Sequence, residues 1–187
     1  MGPLAGQAFV KAVRGVLFFV ARRNYIMGLA IYAGTFDPLT NGHLDVLYRA
    51  TRIFDTVVIA VAPNQSKGPL FSVHERMEFI REVCAGNEQI IVETFDGLLV
   101  DYARERGATA LIRGLRAVTD FEYEFQMTQM NRDLQPDMET LFFMPSQEYT
   151  FTSSTLVKQV ARFDPERVAK YVPLHVAAAL KKRFGHI

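Results

Sequence analysis

From Leu29 onward the chain alternates short apolar runs with stretches whose apolar residues recur at helical spacing. Leu29–Gly34 reads as a strand that ends in a Gly-Thr-Phe-Asp-Pro turn. Residues 42–54 place Leu44, Leu47, Ile53 and Phe54 on one helical stripe. Residues 56–62, Thr-Val-Val-Ile-Ala-Val-Ala, are β-branched and almost continuously apolar, as a strand buried on both faces requires. A polar loop over 63–69 follows, and then Ser72-Val73-His74-Glu75, a capping-box pattern that predicts a helix to residue 85. Residues 90–95, 109–112 and 140–144 predict three more strands. Residues 98–106, Val118–Leu134 and 153–163 predict helices, Asp164-Pro165 restarts one with proline in its first turn, and Leu174–Phe184 closes the chain.

Strands that alternate with helices across short links predict an α/β domain of Rossmann-like, doubly wound type. Its parallel five-stranded sheet is followed by C-terminal helices. In such sheets ligands bind beyond the carboxyl ends of the strands, where strand order reverses. That rule gathers residues 34–43, 63–69 and 113–116 at one rim. No repeat or linker divides residues 27–187, which read as one domain.

Residues 1–26 stand apart. They carry Lys11, Arg14, Arg22 and Arg23 with no acid, a charge of +4, whereas the other 161 residues hold 17 basic and 20 acidic groups. The segment reads as an N-terminal extension outside the core, with an amphipathic membrane or partner helix as the alternative. Its apolar run 16–21 is too short to span a bilayer, and basic residues follow that run, the reverse of a signal peptide. With a body at −3 there is no global field for nucleic acid, so neither nucleic acid nor membrane is an expected partner. Cys84 is the single cysteine, which excludes an internal disulfide and fits a reducing, cytoplasmic setting.

Three segments carry candidate chemistry. Gly34-Thr35-Phe36-Asp37-Pro38-Leu39-Thr40-Asn41-Gly42-His43 joins a strand to a helix, with glycines for close backbone approach and free N–H groups for an anion. His43 in the first turn can donate to a phosphate oxygen or serve only as a cap. Arg113-Gly114-Leu115-Arg116 places two guanidinium forks at the mouth of a strand; the alternative is a surface pair with Asp120, Glu122 or Glu124. Tyr149-Thr150-Phe151-Thr152-Ser153-Ser154-Thr155 opens a helix with consecutive hydroxyls, more than one N-cap needs. Nothing matches a P-loop or the dinucleotide glycine fingerprint, and no carboxylate cluster demands a protein-bound metal.

Taken together, these segments resemble the adenylyl- and cytidylyltransferase family. Ser66-Lys67, Ile112-Arg113-Gly114-Leu115-Arg116-Ala117, Asp120-Phe121-Glu122-Tyr123-Glu124, Met130-Asn131-Arg132 and Ser153-Ser154-Thr155-Leu156-Val157-Lys158 are similar to the bacterial phosphopantetheine adenylyltransferases. That resemblance implies transfer of AMP from ATP to 4′-phosphopantetheine. It implies His43 at the α-phosphate, Thr35, Lys67 and Arg113 on the acceptor phosphate, and Leu99 against the pantetheine arm. For ATP it implies Thr35, Phe36, His43, Gly114, Leu115, Arg116, Glu124 (facing ribose) and Tyr149, Thr150, Phe151, Thr152, Ser153, Ser154 and Thr155. It further implies magnesium carried on the ATP phosphates and a homo-oligomer, a hexamer. Another acceptor, such as nicotinate mononucleotide, or a non-catalytic nucleotide-binding regulator remains the alternative.

Overall fold

The structure, a computed structural model, describes residues 9–13, 16–20, 28–63, 68–116 and 118–185. Strands β1 (Phe9–Val13) and β2 (Val16–Val20) pair antiparallel, Phe9 opposite Val20, and form a sheet of their own. The amphipathic helix considered for this region is therefore not what these residues form. Phe-Val-Lys-Ala-Val and Val-Leu-Phe-Phe-Val are rich in the β-branched and aromatic residues that favour a pleated strand.

The main sheet holds β3 (Leu29–Gly34), β4 (Thr56–Val61), β5 (Ile90–Thr94), β6 (Ala110–Gly114) and β7 (Glu139–Phe143). All pairings are parallel, in the order β5-β4-β3-β6-β7. Helices α1 (Asn41–Ala50), α2 (Val73–Val83), α3 (Leu99–Glu105), α4 (Val118–Leu134), α5 (Ser154–Ala161) and α6 (Leu174–Phe184) complete the fold, with short 3-10 turns at Gln147–Tyr149 and Pro165–Tyr171. The period-2 geometry of β3 sorts its side chains between two cores. Ala30 and Tyr32 join α1, α2, α5 and α6, whereas Ile31 and Ala33 join the side of α3. In β4, residues Val57, Val58, Ile59, Ala60 and Val61 have no exposed surface, as their unbroken apolarity predicts.

Three boundaries differ from the expectation for physical reasons. Helix α1 stops at Ala50, and a turn follows in which the N–H groups of Ile53 and Phe54 both reach the Ala50 carbonyl; Phe54 still packs in the core. The segment restarting at Pro165 is a 3-10 helix. Strand β6 runs on to Gly114 because its pairing with β7 continues through Arg113↔Phe142 and Gly114↔Phe143. Its pairing with β3 ends at Tyr32↔Ile112. No helix among the described residues is long and apolar enough to cross a membrane.

Candidate active site

The chain leaves β3 towards β4 on one side and leaves β6 towards β7 on the other, so strand order reverses between β3 and β6. A cleft of about 440 Å³ opens there. Its walls include Thr35 and His43 from the β3–α1 turn, Arg113 and Gly114 from β6, and Thr152 to Thr155 at the start of α5. Leu99, Arg116 and Glu124 line it too, so three sequence-distant motifs meet at one mouth.

Thr40 and His43 form a reciprocal capping box at the start of α1. The His43 backbone N–H donates to Thr40 Oγ1 (3.3 Å), and the Thr40 backbone N–H donates to His43 Nδ1 (3.1 Å). A backbone N–H can only donate, so Nδ1 must be the unprotonated nitrogen and Nε2 carries the ring proton. Burial lowers the imidazole pKa from 6.5 to about 4, and the nearby Arg116 charge pushes the same way. His43 is thus a neutral ring with one fixed donor, Nε2–H. The edge of its ring lies against Phe36, with centroids 5.1 Å apart at 84°.

Gly34 and Gly42 were expected to let a ligand approach the backbone. Both line the cleft, and a Cβ on Gly34 would also lie 2.9 Å from Phe36 Cζ and one on Gly42 3.3 Å from Tyr149 Cβ. Both glycines make room for an aromatic side chain of this chain. Phe36 adopts a left-handed backbone (φ 49°) and is buried, so only its main chain faces a ligand.

Arg113 forks onto Glu124, with Nε donating to Oε2 (2.6 Å) and Nη2 to Oε1 (2.7 Å), while Nη1 donates to the Ala33 carbonyl (3.3 Å). Burial pulls its pKa down, but the hydrogen bonds and charge of Glu124 outweigh that and raise it. The carboxylate expected to face ribose is therefore held by an arginine expected on a phosphate. Nη1 and Nη2 each carry a second hydrogen that can still reach an anion. Arg116 Nη1 donates to the Thr152 carbonyl (2.9 Å), which ties the exit of β6 to the approach of α5.

The hydroxyl run divides its work. Ser153 caps α5 by accepting the Leu156 N–H (3.1 Å), and Ser154 Oγ donates to the Pro38 carbonyl (2.8 Å). Thr155 is exposed at the cleft. Leu115, Tyr149, Thr150 and Phe151 do not line the cleft. Leu115 continues the ladder with its N–H on the Phe143 carbonyl, Tyr149 and Thr150 form the turn beside Gly42, and Phe151 projects over a separate apolar groove. Lys67 lies outside the described residues.

Some residues of the site went unread in the sequence. Tyr32 lines the cleft, and burial raises its phenol pKa, against which Arg113 and Arg116 pull it down. Asp37 is buried, accepting from the Leu70 and Phe71 N–H groups (2.9 Å each) and from Lys158 Nζ (2.6 Å). Lys158, read only as part of a motif, is thus what locks α5 against the β3–α1 turn. Among the described residues no group of three or more His, Cys, Asp or Glu could hold a metal ion.

A family profile described as cytidylyltransferase-like matches residues 31–160. A phosphopantetheine adenylyltransferase of Geotalea daltonii is 51% identical over 157 residues, covering 84% of this chain and 97% of that protein. One from Alkaliphilus metalliredigens is 48% identical over 157 residues, covering 84% of this chain and 99% of that protein. Among solved structures, Plasmodium falciparum nicotinic acid mononucleotide adenylyltransferase complexed with NaAD superposes with a TM-score of 0.61, covering 85% of this chain and 96% of that one. At 13% identity that likeness speaks for the fold alone. With a nucleotide cleft at the switch point of its sheet and half its aligned residues shared with these relatives, the chain belongs to the cytidylyltransferase-like nucleotidyltransferases and, within them, to the phosphopantetheine adenylyltransferase family.

Proposed function

We propose that this chain transfers the adenylyl group of ATP to 4′-phosphopantetheine, giving dephospho-coenzyme A and pyrophosphate. The observation that carries the reading is His43, neutral and protonated on Nε2, in a cleft it shares with Arg113, Arg116 and the N-terminus of α5. The choice of acceptor is supported by relatives near half identity that are named for it.

In the reaction an acceptor phosphate oxygen attacks the α-phosphorus in line. A P–O bond forms, the bond to the bridging oxygen breaks, and pyrophosphate leaves with its electron pair. A phosphate monoester has its second pKa at about 6, so the nucleophile is ionised near neutrality and needs no strong base. Catalysis is then positioning plus stabilisation of charge on the pentacoordinate phosphorus. His43 Nε2–H donates to an α-phosphate oxygen. Thr35, Lys67 and Arg113 hold the acceptor phosphate, and Leu99 supports the pantetheine arm. The backbones of Phe36 and Gly114 join Arg116, Glu124 and the 152–155 segment on ATP. Like charges about 4 Å apart repel by about 4 kcal/mol at an effective dielectric near 20, and these cations offset that. Magnesium, when bound, neutralises the outer phosphates. It would be carried on the ATP phosphates, with water filling the rest of its shell.

The assembly is a homo-oligomer, a hexamer by family likeness, and the exposed apolar face of α4 supports self-association. The buried, unpaired Cys84 fits a reducing cytoplasm. The test is incubation with ATP and a panel of acceptors, 4′-phosphopantetheine and nicotinate mononucleotide among them, with pyrophosphate release measured. Turnover is expected with 4′-phosphopantetheine. Turnover with nicotinate mononucleotide instead would overturn the acceptor, and release with no acceptor would overturn the adenylyl-transfer reading.

A further inference from the structure

Helix α2 turns one charged residue inward. Arg76 has no exposed surface, and four residues on, Ile80 is equally buried. Burying a guanidinium is costly unless all its donors find partners. Among the described residues its hydrogen-bond partners are all backbone carbonyls, and the Asp37 charge favours the cation. Nε donates to Phe71 (3.0 Å) and Ser72 (3.3 Å), Nη1 to Thr35 (2.6 Å) and Ala62 (2.8 Å), and Nη2 to Pro63 (3.2 Å). Three chain ends meet on one rigid planar group: the exit of β3, the exit of β4 and the entry of α2.

A buried cation is a poor way to gain stability, since an apolar side chain of similar volume often serves as well. What a planar fork of donors adds is fixed geometry. The contact at Thr35 shows where that geometry acts. Its carbonyl belongs to the peptide unit entering Phe36, whose φ of 49° is a conformation that bulky residues rarely adopt. Such a backbone persists only where its surroundings hold it, and here the shortest contact of Arg76 grips that peptide's oxygen. The conformation folds the Phe36 ring over Gly34 and sets it edge-on between Tyr32 (5.3 Å, 80°) and His43 (5.1 Å, 84°).

We propose that Arg76 is a positioning residue for adenylyl transfer. By gripping the Thr35 carbonyl it holds the Thr35–Phe36 peptide, and with it both the Thr35 side chain and the aromatic backing of His43. This rests on the adenylyl-transfer reading above. It touches no substrate. It acts through the backbone of Thr35 and the ring of Phe36.

The test compares Arg76→Lys and Arg76→Met in the full chain. Each is assayed with ATP and 4′-phosphopantetheine, titrated with ATP alone, melted, and examined by NMR at the Phe36 and His43 rings. Misplacing a reacting group by about 1 Å can cost about 10²-fold. Arg76→Met should therefore fold, bind ATP within a few-fold of wild type, lose kcat by about that factor, and shift both ring signals. Arg76→Lys, which keeps one donor for the Thr35 carbonyl, should recover part of kcat. Folded variants with wild-type kcat and unmoved ring signals would overturn the proposal. So would failure of both variants to fold, which would assign Arg76 to stability alone. If the wild type forms no dephospho-coenzyme A, the adenylyl-transfer reading fails by itself, and the ring signals still decide whether Arg76 holds Phe36 and His43 in place.

Discussion

At the scale of the residue, His43 uses its two nitrogens for two purposes. Nδ1 closes the cap of α1, and that bond fixes the proton on Nε2, where a phosphate can use it. The cap and the proposed catalytic donor are therefore compatible in one ring, and they can be separated by measurement. His43→Ala should lower kcat by about 10²–10³, as losing one transition-state donor does, with ATP affinity nearly intact. Asparagine should recover part of the rate. Single turnover with both substrates saturating is the check, and a rate within a few-fold of wild type would leave His43 as a cap only. Its protonation carries a second prediction. The folded pKa of about 4 lies below the ordinary 6.5, so the unfolded chain binds the proton more readily. The stability that His43 contributes is complete above pH 6.5 and is lost as pH falls from there towards 4. The His43 ring signal in NMR should accordingly stay flat from pH 8 through 6 in the free protein. The Asp37–Lys158 pair acts differently, on stability. Asp37→Ala strands Lys158 and two backbone donors, and should cost roughly 3–5 kcal/mol, read as a fall in the denaturant midpoint. The residues that went unread here share a cause. Asp37, Arg76 and Lys158 owe their roles to partners up to 121 positions away in the chain. A charged residue on a helix, such as Arg76, carries no local sign that it points inward.

At the scale of the element, the strands and most helices were legible because burial on both faces leaves unbroken apolar runs, as in β4, and amphipathic packing leaves a stripe, as in α1. Helix α4 shows where that logic ends. Its periodic pattern is weak because its sheltered positions are polar. Glu124, Thr128 and Asn131 are the half-buried ones, on one face at spacings of four and three. Phe121, Tyr123, Phe125, Met127, Met130 and Leu134 are exposed instead, with Phe121 and Phe125 stacked on each other. Glu124 looks inward because it holds Arg113, so the cleft claims the face of the helix that would otherwise be apolar. Six large apolar side chains exposed on one helix are the kind of surface that interaction sites present. The proposed self-association through α4 predicts that Phe125→Glu combined with Met130→Glu shifts the species in sedimentation velocity from an oligomer to a smaller mass. A wild type that sediments as a monomer, or a double variant of unchanged mass, would sink this assignment. Because Glu124 lies on the same helix, loss of assembly should also weaken ATP binding.

At the scale of the whole molecule, the chain joins two segments of opposite net charge. The body, at −3, places Arg113 and Arg116 in the cleft at the switch point, with Glu124 beside them. The first 26 residues, at +4, include the strands of a separate antiparallel pair with no ladder to the main sheet. The family profile begins at residue 31, and relatives are covered to 97% and 99% by 157 of the 187 residues here. Those relatives therefore have almost nothing left to match an extension. The main sheet and the residues lining the cleft lie within 29–155. A chain beginning at Met27 is accordingly expected to fold with an unchanged melting temperature, assemble to the same number of subunits, and turn over with wild-type kcat and KM. The opposite charges of the two parts set the strongest objection. The basic strands could dock on the acidic body, or on anionic surfaces, and their removal would then show first at low ionic strength, where the Debye length is ~30 Å at 0.01 M against ~10 Å at 0.1 M. Melting, sedimentation and turnover should therefore be compared at both salt concentrations. Equality of the two chains at both would assign the extension no part in the enzyme. A loss confined to low salt would give it an electrostatic docking role, and a loss at both would make it part of the folded core.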